Sequence, residues 1–463
     1  MKLITFALPL FFAFSILLGE SKLLQPETKK NYNDFNNLSF NEILNFLSTT
    51  DKGFTLNELL EGTKNNYNLE AKELAILQAQ ANKIAATREF LPTLDGNYSF
   101  QDTNNTYRKI QNQSASLKAN WEIFSGFKTY NKMREKDSLY RSSIADRASM
   151  QEQLFLNVIE QYYSYFSNQA RFVSLEQKHR QLEVNIKRLE RLYRSGLTTI
   201  DDIESLRAEI LTTEHDIANI VLEIEKNKLV LSLLTNLDVK NLTRTSIKAP
   251  NFTLQKRQDI IALEEQANSL RYQVKQVTYL PSITISDTFS WNSLGSVSSK
   301  PALDELFGTS GAGSGLGGSN FMKMSYPPSQ NVIGISVNMR IFDWLNLAKQ
   351  KEALRYGSMK LQKELAYKKH EQEKDELLYR KSLEIAQAKI KSAQAALKSA
   401  SVGFENVAKK YDSQILNFTD YLQSLSRKFD AEATYNKALN DYEIEKARYL
   451  YYSGQEIEGN IEK

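Results

Sequence analysis

Cysteine is absent from the 463 residues of this chain. Without cysteine, no disulfide framework can hold the fold, and no thiol is available to which a lipid anchor could be attached. Any attachment to a membrane must therefore come from the fold itself.

Histidine is scarce, and the three histidines, His179, His215 and His370, lie far apart within segments of helical spacing. No HExxH-type metal spacing occurs. The glycine-rich stretch at 308–318 lacks the strand, the helix and the following acidic residue that a dinucleotide site requires. We therefore predict no enzyme activity, no metal site and no cofactor.

An excess of one charge is also missing. The chain has 59 basic and 55 acidic residues with mixed signs, a net charge of +4, which gives no argument for nucleic acid binding.

Beyond the N-terminus no apolar run reaches 18 residues. Residues 1–21 predict a signal peptide, with Lys2 followed by an apolar stretch and small residues at 19 and 21. A membrane anchor is the alternative, although about 16 apolar residues fall short of the roughly 20 that span a bilayer.

Proline is missing from residues 93–249 and from 329–463. Because an internal proline costs a helix about 3 kcal/mol, its absence permits very long helices. One coiled-coil seam steps by three and four residues, through Ile203, Leu206, Ile210, Thr213, Ile217, Ile220, Ile224, Asn227, Leu231 and Leu234. The predicted long helices cover 128–192 and 345–410, and the shorter helices that follow them cover 199–234 and 418–452. A further helix is predicted at 55–90, before the first strand.

Four short segments alternate apolar and polar residues with a period of two. They are 93–103, 113–123, 282–291 and 331–341, and Asp287 interrupts the apolar face of the third. Segments of about ten residues with one apolar face are typical of transmembrane barrel strands. A soluble hairpin with one buried face has the same pattern, so periodicity alone leaves both interpretations open.

The two halves of the chain follow one plan. Phe124 and Phe342 lie in similar segments, as do Tyr193 and Tyr411, and the offset is 218 both times (342 − 124 and 411 − 193). We predict repeat 1 at 55–245 and repeat 2 at 246–454. An N-terminal periplasmic segment at 22–54 precedes them, and a C-terminal tail at 455–463 follows.

An insertion separates the strands of the second half. Pro92 and Pro281 are only 189 residues apart, so 218 − 189 = 29 residues are added after Pro281. They fall in 292–330, whose Gly- and Ser-rich composition predicts a long hairpin loop.

The predicted elements give each half the order helix, strand, loop, strand, long helix, turn, helix. A long helix of about 65 residues extends roughly 100 Å, and two shorter helices placed end to end could pack along it. Four strands leave two open edges, which are not tolerated in lipid. Membrane strands would therefore require oligomerisation, and three copies would supply 12 strands, a size found among outer-membrane barrels.

Several motifs, which follow the same order in both halves of the chain, resemble those of the TolC-like outer membrane efflux protein family. They are Leu91-Pro92 and Leu280-Pro281 before the first strands, Phe124-Ser125-Gly126 and Phe342-Asp343 after the second strands, and the tip motif YRSGLTTIDDIESL. The resemblance implies a mainly α fold: a coiled-coil α-barrel in the periplasm joined to a 12-stranded β-barrel in the outer membrane, formed by a homotrimer. It also implies a periplasmic adaptor (membrane fusion) protein and an inner-membrane RND or ABC transporter as partners, with outer-membrane lipid around the strands.

The resemblance places the periplasmic entrance at two tips, 193–202 and 411–420, with turns at Gly196 and Gln414. Asp202 and Tyr411 match residues that link neighbouring coiled coils, while the basic residue of that network falls at Leu416 and is missing. Asp420 matches a pore-facing aspartate ring, and the second ring position falls at Gln423, which is uncharged. We expect three copies of Asp420 to form one acidic ring that binds cations.

The alternative interpretation is a periplasmic coiled-coil tether or adhesin without a conduit. It accounts for the heptads and the export signal, but not for four strand segments placed symmetrically between helices. No residue in the sequence identifies the cargo.

Overall fold

A computed structural model describes residues 53–104, 108–294, 298–299, 329–413 and 415–462. The predicted signal peptide, nearly all of the segment 22–54, Gln414 and most of the loop 292–330 lie outside these residues. The helices are α1 (Leu56–Thr63), α2 (Tyr67–Arg88), α3 (Lys128–Arg194), α4 (Ile200–Thr235), α5 (Gln258–Gln276), α6 (Asn346–Asp412) and α7 (Phe418–Ser453), followed by a 3-10 turn at Glu458–Asn460. The strands are β1 (Thr93–Asn104), β2 (Arg108–Phe124), β3 (Ser282–Leu294), β4 (Ser298–Ser299) and β5 (Ser329–Asn338).

Two helices of 67 residues, α3 and α6, run the length of the helical part. At 1.5 Å per residue each is roughly 100 Å long. Their first residues are 346 − 128 = 218 apart, and those of α4 and α7 are also 418 − 200 = 218 apart. The predicted repeat would produce this equality of length and spacing.

Each long helix begins at a tight corner directly after the sheet. The residue before α3, Phe127, has φ 65°, and Leu345 before α6 has φ 63°. Gly126 also has a positive φ, and the position 218 residues later is occupied by Trp344 at φ 55°. Non-glycine residues rarely adopt this region, so the chain reverses here at some conformational cost.

The first predicted helix, 55–90, is two helices rather than one. Asn66 interrupts it, because its side chain accepts a hydrogen bond from the Asn68 amide and caps α2. The same side chain donates to the carbonyls of Leu233 and Leu234 at the end of α4, at 3.3 and 2.9 Å. The break is thus fixed by a contact about 170 residues away in sequence.

The expectation that two short helices match a long one end to end is also corrected. Helices α2 and α4 have 22 and 36 residues, nine fewer than the 67 of α3 (67 − 22 − 36 = 9). The eight-residue helix α1 packs against α3 and α4 in the remaining space. In the second half, α5 has only 19 residues, because residues 236–257 form no helix.

The middle of α3 is the centre of the main hydrophobic core. Leu56 and Leu59 from α1 pack there with Phe155 and Tyr163, all of them fully buried. Ile457 and Ile461 belong to the same cluster, so the segment predicted only as a tail, 455–463, contributes two side chains to the core.

Gly454 makes the turn into this C-terminal segment. Its φ is +79°, and a Cβ there would lie 2.3 Å from the carbonyl oxygen of Gln255. Beyond it, the amide of Glu462 donates to the carbonyl of Ser246 at 3.0 Å, and the amide of Lys248 donates to the carbonyl of Asn460 at 2.9 Å. The end of the chain is therefore held by directed polar contacts as well as by apolar packing.

The sheet is antiparallel in the order β1-β2-β3-β5, with the short β4 paired to β2. The mainly helical fold with a four-strand sheet is confirmed. Strand β5 ends at Asn338, so residues 339–341 of the predicted strand 331–341 are not strand, while residues 292–294, 298–299 and 329–330 of the predicted loop are strand.

The pairing register collects the apolar side chains on one face of this sheet. Residues paired across the strands form rows on this face. Three successive rows are Trp121, Ile285 and Ile335; then Leu94, Ala119, Asp287 and Ile333; then Leu117, Phe289 and Asn331. The opposite face is mostly polar, for example Asn97, Ser116, Ser290 and Gln330 at one level. Most large apolar side chains of the first face are exposed, Leu94 by 72% and Ile335 by 71%.

Candidate functional site

Two helical hairpins, α3–α4 and α6–α7, end in turns that lie side by side. Thr199 caps α4 by accepting a hydrogen bond from the Asp202 amide, and Asn417 caps α7 by accepting from the Asp420 amide at 2.8 Å. Gly196 has φ +69° in the first turn. Both aspartates thus lie in the first turn of a helix, where a negative charge is favoured by the exposed amides.

An aromatic cluster packs the second hairpin against the first. The Tyr411 and Tyr421 ring centroids are 4.8 Å apart, and the Tyr411 and Phe418 centroids are 5.9 Å apart. Leu182 and Leu189 from α3 pack in the same buried cluster. The two tips therefore share one small core.

Polar contacts from α3 reach across to both helices of the second hairpin. Arg188 Nη1 donates to Asp412 Oδ1 at 2.5 Å, and the guanidinium lies 5.1 Å from the centroid of the Tyr411 ring. The Tyr421 hydroxyl accepts from Gln181 Nε2 and Asn185 Nδ2, each at 3.2 Å.

The hydrogen bond to Asp412 raises the pKa of Arg188. Burial raises the pKa of Tyr411, and the charge of Asp202 adds to that rise while Arg188 opposes it. Arg188 thus supplies a basic group beside Tyr411. The family resemblance places the basic residue of this network at Leu416, where it is missing. No local pattern in the sequence could indicate the contact of Arg188 with Tyr411, because Arg188 comes from the other half of the chain.

Asp202 is half-buried, and its Oδ2 accepts a hydrogen bond from the Thr198 hydroxyl at 2.7 Å. Among the described residues no hydrogen bond joins Asp202 to Tyr411. The link between them stays a prediction, supported only by the electrostatic effect of Asp202 on Tyr411.

Asp420 and Gln423 are exposed and lie about one turn apart on α7. Tyr421 and Leu425, on the opposite side of the helix, are buried. The arrangement leaves Asp420 free to face water in an assembly. Its position in an acidic ring is a prediction.

Within the part of the chain that the structure describes, no three His, Asp or Glu side chains come together as a metal site would require. None of the described helices combines the length and the apolarity needed to cross a bilayer.

The fold is that of outer-membrane channel proteins. The Campylobacter jejuni CmeC outer membrane channel superposes with a TM-score of 0.73 at 16% identity, covering 92% of this chain and 90% of CmeC. The outer membrane protein VceC of Vibrio cholerae superposes at 0.72 and 15% identity, covering 87% of this chain and 96% of VceC. The open state of the Neisseria gonorrhoeae MtrE outer membrane channel superposes at 0.67 and 14%, covering 87% and 89%.

Residues 60–236 match the model of the outer membrane efflux protein family. No curated protein sequence matches it. The family match covers most of the first half, from α1 through α4, and the structural likeness extends over both halves.

Proposed function

We propose that this chain is one protomer of a trimeric outer-membrane export duct. The observation that carries the proposal is the sheet, with one apolar face, one polar face and an unpaired edge at both β1 and β5 among the described strands. An exposed apolar face suits lipid, and a polar face suits water inside a barrel. An unpaired strand edge cannot remain exposed to hydrocarbon, so β1 of one copy would pair with β5 of the next.

Three copies would close 12 strands and surround the same axis with their long helices. The polar faces would then line a water-filled barrel in the outer membrane, and the helices would form a tunnel through the periplasm. The duct performs no catalysis and needs no cofactor. The signal peptide predicted at 1–21 would deliver the chain to the periplasm.

The tips at 193–202 and 411–420 would form the periplasmic entrance of the duct. There we propose docking of a periplasmic adaptor protein and an inner-membrane RND or ABC transporter, which supplies the energy. The contacts of Arg188 and Tyr421 support a closed entrance at rest, because they hold the two hairpins of a protomer together. The cargo would be set by the pump.

The strand edges give the direct test. The chain has no cysteine, so a thiol cross-linker reacts only where cysteine is introduced. Asn97→Cys in β1 combined with Ser336→Cys in β5 should give covalent dimers and trimers with a bismaleimide of about 10 Å. Within one protomer these edge strands are about 14 Å apart, three strand spacings.

A matched control replaces the β5 position with Ser290→Cys in the central strand β3, which the register places level with Asn97 at two strand spacings, about 9–10 Å. That pair should give only a product within one chain. Without cross-linker, the native protein should need detergent for extraction and should run as a trimer that heating dissociates. Release by salt alone, with no cross-linked oligomers from the edge pair, would favour the tether or adhesin.

A further inference from the structure

The four helix ends nearest the sheet carry a larger net positive charge than the chain as a whole. We define the collar as residues 83–92, 125–137, 271–281 and 339–355, which immediately precede or follow the strands. It contains 12 basic and five acidic residues, a net charge of 12 − 5 = +7. Since the whole chain carries +4, the remainder carries 4 − 7 = −3.

The excess of positive charge ends abruptly along the helices. The next ten residues of each helix, 73–82, 138–147, 261–270 and 356–365, contain four basic and five acidic residues, a net charge of −1. Positive charge is therefore concentrated next to the sheet and is not a general property of the helices.

Many of the basic collar side chains make no close ion pair. Among the described residues six exposed collar side chains make no ion pair within 4 Å: Arg88, Lys128, Arg134, Arg271, Lys275 and Arg355. Arg134 and Lys275 instead lie 5.8 and 5.3 Å from the centroid of the Tyr272 ring. Unpaired, exposed cations are available to an external anion.

Exposed aromatic side chains lie within the collar, next to the strands. Phe127, Phe342 and Trp344 are 56%, 66% and 87% exposed at the corners between strands and helices. Aromatic rings at this level are typical of the boundary between hydrocarbon and headgroups. Arg355 is nine residues into α6, about 14 Å from the start of the helix. That distance matches a headgroup layer of roughly 5–7 Å plus one Debye length of about 8 Å.

We propose that the collar binds the anionic headgroups of phospholipids in the periplasmic leaflet of the outer membrane. The phosphate and glycerol oxygens of phosphatidylglycerol supply the charge and the acceptors that these guanidinium and ammonium groups lack. The proposal rests on the proposed function, since it needs the sheet to lie in the membrane. Lining of the conduit by these charges is the competing outcome.

The test uses the full chain reconstituted in phosphatidylcholine vesicles. The three tryptophans, Trp121, Trp291 and Trp344, all lie in the sheet or next to it, so they can transfer excitation to nearby dansyl lipids. Transfer to acyl-chain-dansylated phosphatidylglycerol should exceed transfer to the matching phosphatidylcholine. The local enrichment should reach at least roughly fivefold, the factor that one basic residue near a membrane surface supplies, and should shrink in 1 M salt.

Two variants with equal charge changes separate the collar from general electrostatics. The collar variant combines Lys128→Gln, Arg134→Gln, Arg271→Gln and Arg355→Gln and should lose the preference for phosphatidylglycerol. The control combines Lys381→Gln, Lys391→Gln, Lys398→Gln and Arg427→Gln, exposed residues distant from the sheet in sequence, and should keep it.

Conductance in planar bilayers makes the possible failures distinguishable. A native channel that conducts but transfers equally to both lipids would overturn the headgroup site alone. A collar variant that keeps its lipid preference but loses anion permeability would place the charges in the conduit and would also overturn it. A chain that neither inserts nor conducts would overturn the proposed duct.

Discussion

Removing the Arg188 side chain's charge should loosen the contact between the two tips of a protomer. Arg188→Met keeps much of the aliphatic stem but removes the ion pair with Asp412 and the cation over the Tyr411 ring. The hydrogen bonds to Tyr421 from Gln181 and Asn185 would remain. The variant therefore weakens the contact without removing its apolar core.

The free energy lost in this variant follows from the solvent exposure of the two paired side chains. The Arg188 and Asp412 side chains are 36% and 64% exposed, so their ion pair contributes about 0.2–1 kcal/mol. The cation above the ring adds about 0.5–1 kcal/mol. A loss of about 1–2 kcal/mol per protomer corresponds to roughly a tenfold shift in a tip-opening equilibrium. Three protomers that open together would multiply these factors.

The assay is single-channel conductance combined with thermal unfolding. Arg188→Met should increase the time spent in a high-conductance state and slightly lower the melting temperature. Asp412→Asn should have a similar effect, and the double variant should be less than additive, which reports the coupling between the two residues.

Arg207→Met is the control, because Arg207 pairs with Glu204 and Glu190 inside the first hairpin and does not reach the second. It should leave conductance unchanged. If Arg188→Met leaves both conductance and melting at their native values, or if the cycle shows a coupling below about 0.2 kcal/mol, the contact does not hold the tips together.

Three further outcomes follow from the structure. Burial, together with nearby acidic side chains, raises the pKa of Glu152 to about 7 from 4.5, so the fold binds an extra proton in this window. The contribution of Glu152 to stability should therefore be greatest below pH 4.5 and fall by up to about 3 kcal/mol as pH rises to 7, and Glu152→Gln should remove this part of the pH dependence in melting curves. Gly454→Ala should destabilise by about 2–4 kcal/mol because of its positive φ and the nearby carbonyl, whereas Gly403→Ala, in an α6 position with open space around it, should stabilise by about 0.5–1 kcal/mol in denaturant unfolding. Asp420→Ala should reduce cation selectivity in planar bilayers while Asp430→Ala should not, and unchanged selectivity in the first variant would count against the acidic ring.

Local sequence features placed most helices and strands well. Periodicity and the absence of proline predicted helix at 128–192 and 418–452, and the structure has helices at Lys128–Arg194 and Phe418–Ser453. These features succeed because a helical or extended segment repeats its own side-chain period, whatever it packs against.

Local features failed where a distant partner decides the conformation. Asn66 breaks the first helix because its amide meets carbonyls at the end of α4. The sequence predicts only a C-terminal tail at 455–463, yet Ile457 and Ile461 belong to the main core. Neither outcome is visible in the spacing of nearby residues.

The tip shows the same division between sequence and tertiary structure. The sequence by itself determined the caps, the turns and the positions of Asp202, Tyr411 and Asp420, because capping and turn geometry are local. Only the tertiary structure brought Arg188 over Tyr411, and only strand pairing aligned four alternating segments into one continuous apolar face. Contacts between residues far apart in sequence depend on packing and register, which no single segment encodes.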